Sequence, residues 1–209
     1  MIALSLRDSG VRVVFTDRFD AQEQVRALFD DEFEPVRVHQ VHGASVISID
    51  DGRWCRPLLQ ADGIYIPSDR SGVAGIATAD CLPLVVANHN GDVVVLHVGW
   101  RGLAAGVVEA GLARLGGNGL IAVIGPHIRS CCYQFLGPER YIIEQRFGVS
   151  NFVGENLSME HAVSGVLDQH GIREVLSVGQ CTFCNDSYHS YRRDGTVERQ
   201  LTLAASGGR

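Results

Sequence analysis

Three short apolar runs, at residues 73–77, 83–87 and 93–97, dominate the middle of the chain. They are too short for helices and do not alternate with polar residues, so each predicts a strand covered on both faces. Asn88-His89-Asn90-Gly91 separates the second from the third and predicts a hairpin. Residues 11–15, 120–124 and 175–178 are further apolar or β-branched runs of strand length, the last read as the final strand. Two more strands, at 36–41 and 45–49, flank a turn at His42-Gly43. Helical spacing is found at 21–29, where Ala21, Val25, Leu28 and Phe29 share a face, and at 103–115, 138–147 and 157–170. Gly116-Gly117 and Gly171 supply the stops of the second and fourth. Residues 51–60 have no period and read as a loop, and the glycine-rich end from Ser206 reads as a frayed tail. The pattern predicts one α/β domain over residues 1–209, a mixed sheet with helices layered outside it.

Composition narrows the partners. With 45% apolar and 20% charged residues the chain reads as an ordinary globular protein. No apolar run reaches the ~18 residues of a membrane span, and the amino end lacks a basic head followed by an apolar stretch, so the expected location is cytoplasmic. A formal charge of −6 argues against a nucleic-acid partner. All 18 basic residues are arginine. Without lysine there is no Schiff-base chemistry and no phosphate-cradling P-loop, so a bound phosphate must be held by arginine, backbone N–H groups or a metal.

Candidate chemistry centres on Cys81, in Thr78-Ala79-Asp80-Cys81, and on His97, which opens His97-Val98-Gly99-Trp100-Arg101-Gly102. His42 lies upstream in Gln40-Val41-His42-Gly43. One thiolate and two imidazoles form a three-ligand metal set with an open position; the same side chains suit a cysteine nucleophile with a histidine base. A thiol packed as a small hydrophobe and a hydrogen-bonded histidine at a strand end are the plain alternatives. Asp62 and Asp80 are candidates to orient a ligand imidazole. Arg101 and the pair Arg192-Arg193 are candidate phosphate clamps, and Gly99 and Gly102 would admit close backbone approach to an anion. The other cysteines are Cys55, the vicinal Cys131-Cys132, and Cys181 with Cys184 in a C-x-x-C. That motif has no second C-x-x-C for a structural zinc, so packing or incidental thiols is the expectation for all of these, with a redox dithiol as alternative for Cys181 and Cys184 and soft-metal binding as alternative for Cys131-Cys132.

Taken together, these motifs resemble the YfiH family, whose members carry the labels laccase-domain protein and polyphenol oxidase. The resemblance rests on the three segments around His42, Cys81 and His97. It extends to Ile124-Gly125-Pro126, Cys132-Tyr133, Cys181-Thr182 and Ser190-Tyr191-Arg192-Arg193-Asp194-Gly195. It implies a single YfiH-like domain of the type grouped with cytotoxic necrotizing factors and cysteine hydrolases. It further implies zinc on His42, Cys81 and His97, with copper as a second candidate, and purine nucleoside and phosphate as ligands. The implied reactions are phosphorolysis of adenosine, inosine or methylthioadenosine and deamination of adenosine. Cys81, His97 and Arg101 would then be catalytic, and Gln40, Arg18 and Arg101 would touch substrate.

A multicopper oxidase needs many histidines, commonly in His-x-His pairs; this chain has 8 and no such pair, which argues against laccase as its activity. Copper in the Cys-His-His set would not by itself make one. The chain departs from the family pattern at Val98, His127 and Glu198. It also lacks the glycine-rich loop after Thr16-Asp17-Arg18, which runs almost directly into the helix expected at 21–29. The rival expectations are a cysteine hydrolase or amidase using Cys81 and His97, and a non-catalytic metal-binding protein.

Overall fold

The computed structural model describes residues 1–6, 9–20, 22–29, 34–52, 57–116 and 119–206. Ala21, Cys55 and Gly117 therefore lie outside the described residues, as does part of the loop expected at 51–60. The chain opens with β1 (Ile2–Ser5), β2 (Arg12–Phe15), the short helix α1 (Gln22–Arg26), β3 (Val36–Arg37), β4 (Val46–Ser48) and α2 (Ile49–Gly52). Next come β5 (Gly63–Ile66), β6 (Val73–Thr78), β7 (Leu82–Ala87) and β8 (Val93–Val98). Helices α3 (Trp100–Ala105) and α4 (Val107–Leu112) lead to β9 (Ile121–Ile124) and α5 (Glu139–Phe147). The chain continues through β10 (Phe152–Val153), β11 (Asn156–Leu157), α6 (Met159–Gln169), β12 (Glu174–Ser177), α7 (Tyr191–Asp194) and β13 (Gln200–Ala205).

Two large sheets result, in the orders β1-β2-β13-β6-β3 and β12-β9-β7-β8-β5-β4. They face each other across one apolar layer. Phe15, Ala74, Ile76 and Ala204 come from the first sheet, and Ile64, Val85, Val93, Val95 and Val123 from the second. The opposite face of the second sheet presents Leu84, Val86, Val94 and Leu96 to Leu103, Val107 and Val108 of α3 and α4 and to Val163 and Leu167 of α6. Both faces of β7 and β8 are thus covered, which is why their sequences are unbroken apolar runs.

The expected α/β class and the hairpin at 88–91 hold: β7 and β8 pair antiparallel, with Gly91 at φ +94° in the turn. The segments 36–41 and 45–49 do not form a strand pair. β3 joins β6 in one sheet and β4 joins β5 in the other, so His42-Gly43 lies on a crossing between sheets. The helix expected at 103–115 is split by Gly106, whose φ of +91° ends α3 and begins α4. The helix expected at 157–170 starts at Met159, because Leu157 pairs in β11 and Ser158 caps the helix by accepting from the His161 N–H. β12 is largely exposed at the sheet edge, and it is β13 that closes the chain, lying between β2 and β6. No described helix is long and apolar enough to cross a membrane.

Candidate functional site

Strand register explains the meeting of the site residues. Pro83 pairs with His97 and Leu82 with Val98, so Cys81, one step before β7, lies across from Gly99. On the other side of β8, Gly63 pairs with Leu96, which sets Asp62 beside His97. The His97 N–H donates to the Asp62 carbonyl at 2.7 Å, and Nδ1 of the same ring bonds Asp62 Oδ1 at 2.7 Å. That leaves Nε2 of His97 for another partner.

His42 arrives on the sheet-to-sheet crossing with φ +59°, a conformation uncommon outside glycine. Asp62 holds it there. Its carboxylate accepts the backbone N–H groups of Val41, His42 and Gly43 at 3.3, 2.9 and 2.6 Å. One fully buried carboxylate therefore positions both histidines. Nε2 of His42 stands 3.8 Å from Cys81 Sγ, and ligand atoms of His42, Cys81 and His97 all lie within 4.8 Å of one another. The backbone at Gly99 closes the cluster: a Cβ there would sit 2.8 Å from His42 Cδ2 and 3.2 Å from Cys81 Sγ.

The electrostatics follow from this packing. Burial would push the Cys81 thiol up, but hydrogen bonds and charge from His42 and His97 outweigh it and bring the pKa down to about 6. Burial would lower His97, yet Asp62 and Cys81 lift it to about 9. Burial opposes ionisation of Asp62 as well, and the bonds from His97 and the Gly43 and His42 N–H groups still hold its carboxyl below the usual range. One thiolate and two imidazole nitrogens, with an aspartate orienting one ring, form a donor set that fits a borderline-soft ion such as zinc or copper.

The trio lines a cavity of about 420 Å³ together with Gln40, Ala77, Thr78, Ala79, Tyr191 and Arg199, a size suited to a small ligand. The Thr78 hydroxyl is buried there and has no hydrogen-bond partner. A second, smaller cavity of about 130 Å³ also touches Cys81, bounded by Trp100, Tyr133, Met159 and Arg192 among others.

Several sequence expectations take another form. Asp80 does not meet an imidazole: it sits at φ +97° with its carboxylate accepting from Thr182 Oγ1 and the Arg192 N–H, both at 2.6 Å. It shapes the loop that presents Cys81, while Asp62 alone serves the ring. Gln40 lines the cavity, but both ends of its amide are engaged by the Ala77 backbone at 2.8 and 2.9 Å. Arg101 stacks on Trp100, 4.5 Å from its ring centroid, and lines neither cavity beside Cys81. Arg18 bonds the Asp186 carbonyl and lines a separate 410 Å³ cavity. Arg192 and Arg193 do not act as a pair. Arg193 donates to the carbonyls of Thr182 and Tyr188, and Arg192 to that of Gln134. Arg199 was not singled out from the sequence, yet it lines both the Cys81 cavity and the one holding Arg18; its place just before an unexpected strand offered no signal.

A family model described as multi-copper polyphenol oxidoreductase laccase matches residues 13–206. The chain belongs to that family. Its relatives include proteins named purine nucleoside phosphorylase. One from Pseudomonas aeruginosa is 35% identical over 82% of this chain and 74% of its own length. One from Aquifex aeolicus is 29% identical over 92% and 88%. The Escherichia coli relative, 29% identical over 81% of this chain and 73% of its own, carries the name YfiH. Among solved structures, a Neisseria meningitidis protein superposes with a TM-score of 0.84 at 20% identity, over 99% of both chains. A Bacillus licheniformis YfiH protein does so with 0.79 at 22%, over 93% of this chain and 92% of its own. The family's fold is thus the fold seen here.

Proposed function

We propose that this chain is a zinc-dependent purine nucleoside phosphorylase that also deaminates adenosine. The observation that carries the reading is the convergence of His42, Cys81 and His97 on one wall of a 420 Å³ cavity. The names of the relatives point to the same chemistry. His42, Cys81 and His97 would hold the ion, zinc in the first instance and copper as a competitor. Bound there, it supplies Lewis acidity and lowers the pKa of water toward neutrality.

The chain's own groups account for binding and orientation. Asp62 fixes the His97 ring with Nε2 toward the thiolate cluster and holds His42 by its backbone. Tyr191 bounds the cavity with an exposed aromatic side chain. Arg199, in place of Arg101, is the guanidinium that reaches phosphate. In phosphorolysis a phosphate oxygen bonds to ribose C1′ as the C1′–N9 bond breaks; its electron pair leaves with the base, which takes up a proton. Deamination adds water at C6 and releases ammonia.

Mass-resolved product analysis of zinc-loaded protein with adenosine, with and without phosphate, tests the proposal. Adenine and ribose 1-phosphate formed only with phosphate, and inosine formed without it, are the expected products. Unchanged adenosine under both conditions would remove that substrate, and inosine alone yielding a free base would confine the enzyme to phosphorolysis.

Metal uptake gives a second check through pH. Without metal, Cys81 is a thiolate above pH about 6 and His97 keeps its proton up to about 9. Binding requires a neutral imidazole, so between these values each ion displaces one proton from His97. Zinc affinity should rise about tenfold per pH unit across that window and level off above it. A flat affinity across the window would mean that binding displaces no proton from His97 there.

The same thiolate, imidazolium and carboxylate arrangement favours one alternative, a cysteine hydrolase with Cys81 as nucleophile and His97 as the base that has taken up its proton. Chelation separates the two: nucleoside turnover is expected to vanish with the metal, whereas a thiolate nucleophile would be freed by it.

A further inference from the structure

The remaining cysteines, expected to be packing or incidental thiols, gather in one place. Cys131, Cys132, Cys181 and Cys184 have sulfur atoms all within 4.8 Å of one another, and every one is a free thiol. Topology brings them together. β9 and β12 are parallel neighbours, Leu176 lying beside Val123, and the chain leaves both at the same end. The pairing continues past the strands as a bridge between His127 and Cys181, in which the Thr182 N–H donates to the His127 carbonyl at 3.1 Å. One loop then delivers Cys131-Cys132 and the other the C-x-x-C.

We propose that these four cysteines form a second metal site, a tetrathiolate centre for zinc, separate from the His42, Cys81 and His97 set. Zinc bound by four sulfurs at ~2.3 Å in a tetrahedron places the sulfurs about 3.8 Å apart. Cys131 and Cys132 stand 3.6 and 3.1 Å from Cys184, so the exposed Cys131 and Cys184 and the half-buried Cys132 need only small adjustments around the buried Cys181. Four S–H protons pass to solvent as four Zn–S bonds form, and no electron is exchanged.

The surroundings suit the resulting negative charge. The Arg129 backbone N–H donates to Cys181 Sγ at 3.4 Å, and the Arg129 guanidinium is anchored nearby on the Gly179 carbonyl and on Glu160. The Arg193 guanidinium bonds the carbonyls of Thr182 and Phe183, inside the C-x-x-C turn.

The site is placed to stabilise the substrate cavity without touching substrate. Cys132 precedes Tyr133, a wall of the smaller cavity beside Cys81. Cys181 precedes Thr182, whose hydroxyl holds Asp80 in its positive-φ conformation next to Cys81. A metal joining the two loops would act as a cross-link in a region built of turns rather than long elements.

Metal analysis of the full chain purified with zinc, as wild type, Cys81→Ala, Cys184→Ser and the double variant, tests the proposal. About two equivalents are expected in the wild type, about one in each single variant and none in the double. Cobalt-loaded wild type should carry the intense sulfur-to-metal absorption of a tetrathiolate site, kept in Cys81→Ala and lost in Cys184→Ser. Because Cys184 is exposed, its replacement should fold, with a lowered Tm that Cys81→Ala does not share. Metal unchanged from the wild type in Cys184→Ser, or a Cys132–Cys184 disulfide in unreduced peptides, would overturn it, whereas a single equivalent lost only in Cys184→Ser would leave this site standing and empty the other. The metal counts are independent of nucleoside turnover, so this proposal and the phosphorylase reading can fail separately.

Discussion

Cys81→Ala is expected to lose the metal held with His42 and His97 and to reduce nucleoside turnover by about 10³-fold or more, an effect of ~4 kcal/mol in transition-state stabilisation. The thiolate is the one soft donor in that set, and two neutral imidazoles 4.7 Å apart by ring centroid do not replace it. Folding should be nearly unaffected, since the lost sulfur lies against two cavities rather than in the apolar layer between the sheets. Metal content and kcat/KM measured on the same preparations check this. Full metal occupancy with lost turnover would instead mark Cys81 as a nucleophile, and retained turnover would exclude it from the chemistry.

Asp62→Asn should be the most damaging isosteric change in the protein. The carboxylate is fully buried and accepts from three consecutive backbone N–H groups and from His97. An asparagine turns one acceptor oxygen into a donor facing donors, and the cost of breaking a buried, charged network of this kind is about 3–5 kcal/mol. For a chain of this length that corresponds to a Tm lower by roughly 10 °C. Because the same group orients His97 and sets the backbone of His42, metal affinity should fall about 10- to 100-fold even in the fraction that folds. Thermal unfolding followed with and without zinc separates the two effects. An unchanged Tm would mean that the three N–H groups find other acceptors.

Legibility in the sequence follows burial. β6, β7 and β8 stand out because both of their faces are covered, so nearly every position is apolar. β1 gives no such signal: its alternating exposure marks an edge strand, and four residues are too few to establish a period. β13 is buried on both faces, but Gln200 and Thr202 interrupt its apolar run; the Gln200 side chain instead bonds the backbone of His189 on both sides. The helix over 103–115 has the right apolar spacing, and nothing local reveals that Gly106 adopts positive φ and divides it. The family motifs located His42, Cys81 and His97. Closeness in sequence was a poor guide to their supporting groups, since Asp80 bonds Thr182 rather than an imidazole and Arg101 stacks on Trp100.

The linear chain carries the α/β class, the central hairpin, the all-arginine basic complement and the three side chains of the candidate metal set. The first three depend on local periodicity and on residue type, which a linear chain displays, and the last on the family motifs. Only the tertiary structure decided which aspartate serves the histidines, which arginine lines the cavity, and that four cysteines from two distant loops share a corner. Each of those outcomes depends on which strands become neighbours and in what register. β5 beside β8 delivers Asp62 to His97, and β9 beside β12 delivers Cys131 and Cys132 to Cys181 and Cys184. Strand pairing is selected by the burial of whole sheet faces against one another, a property of the assembled layers that no short segment carries.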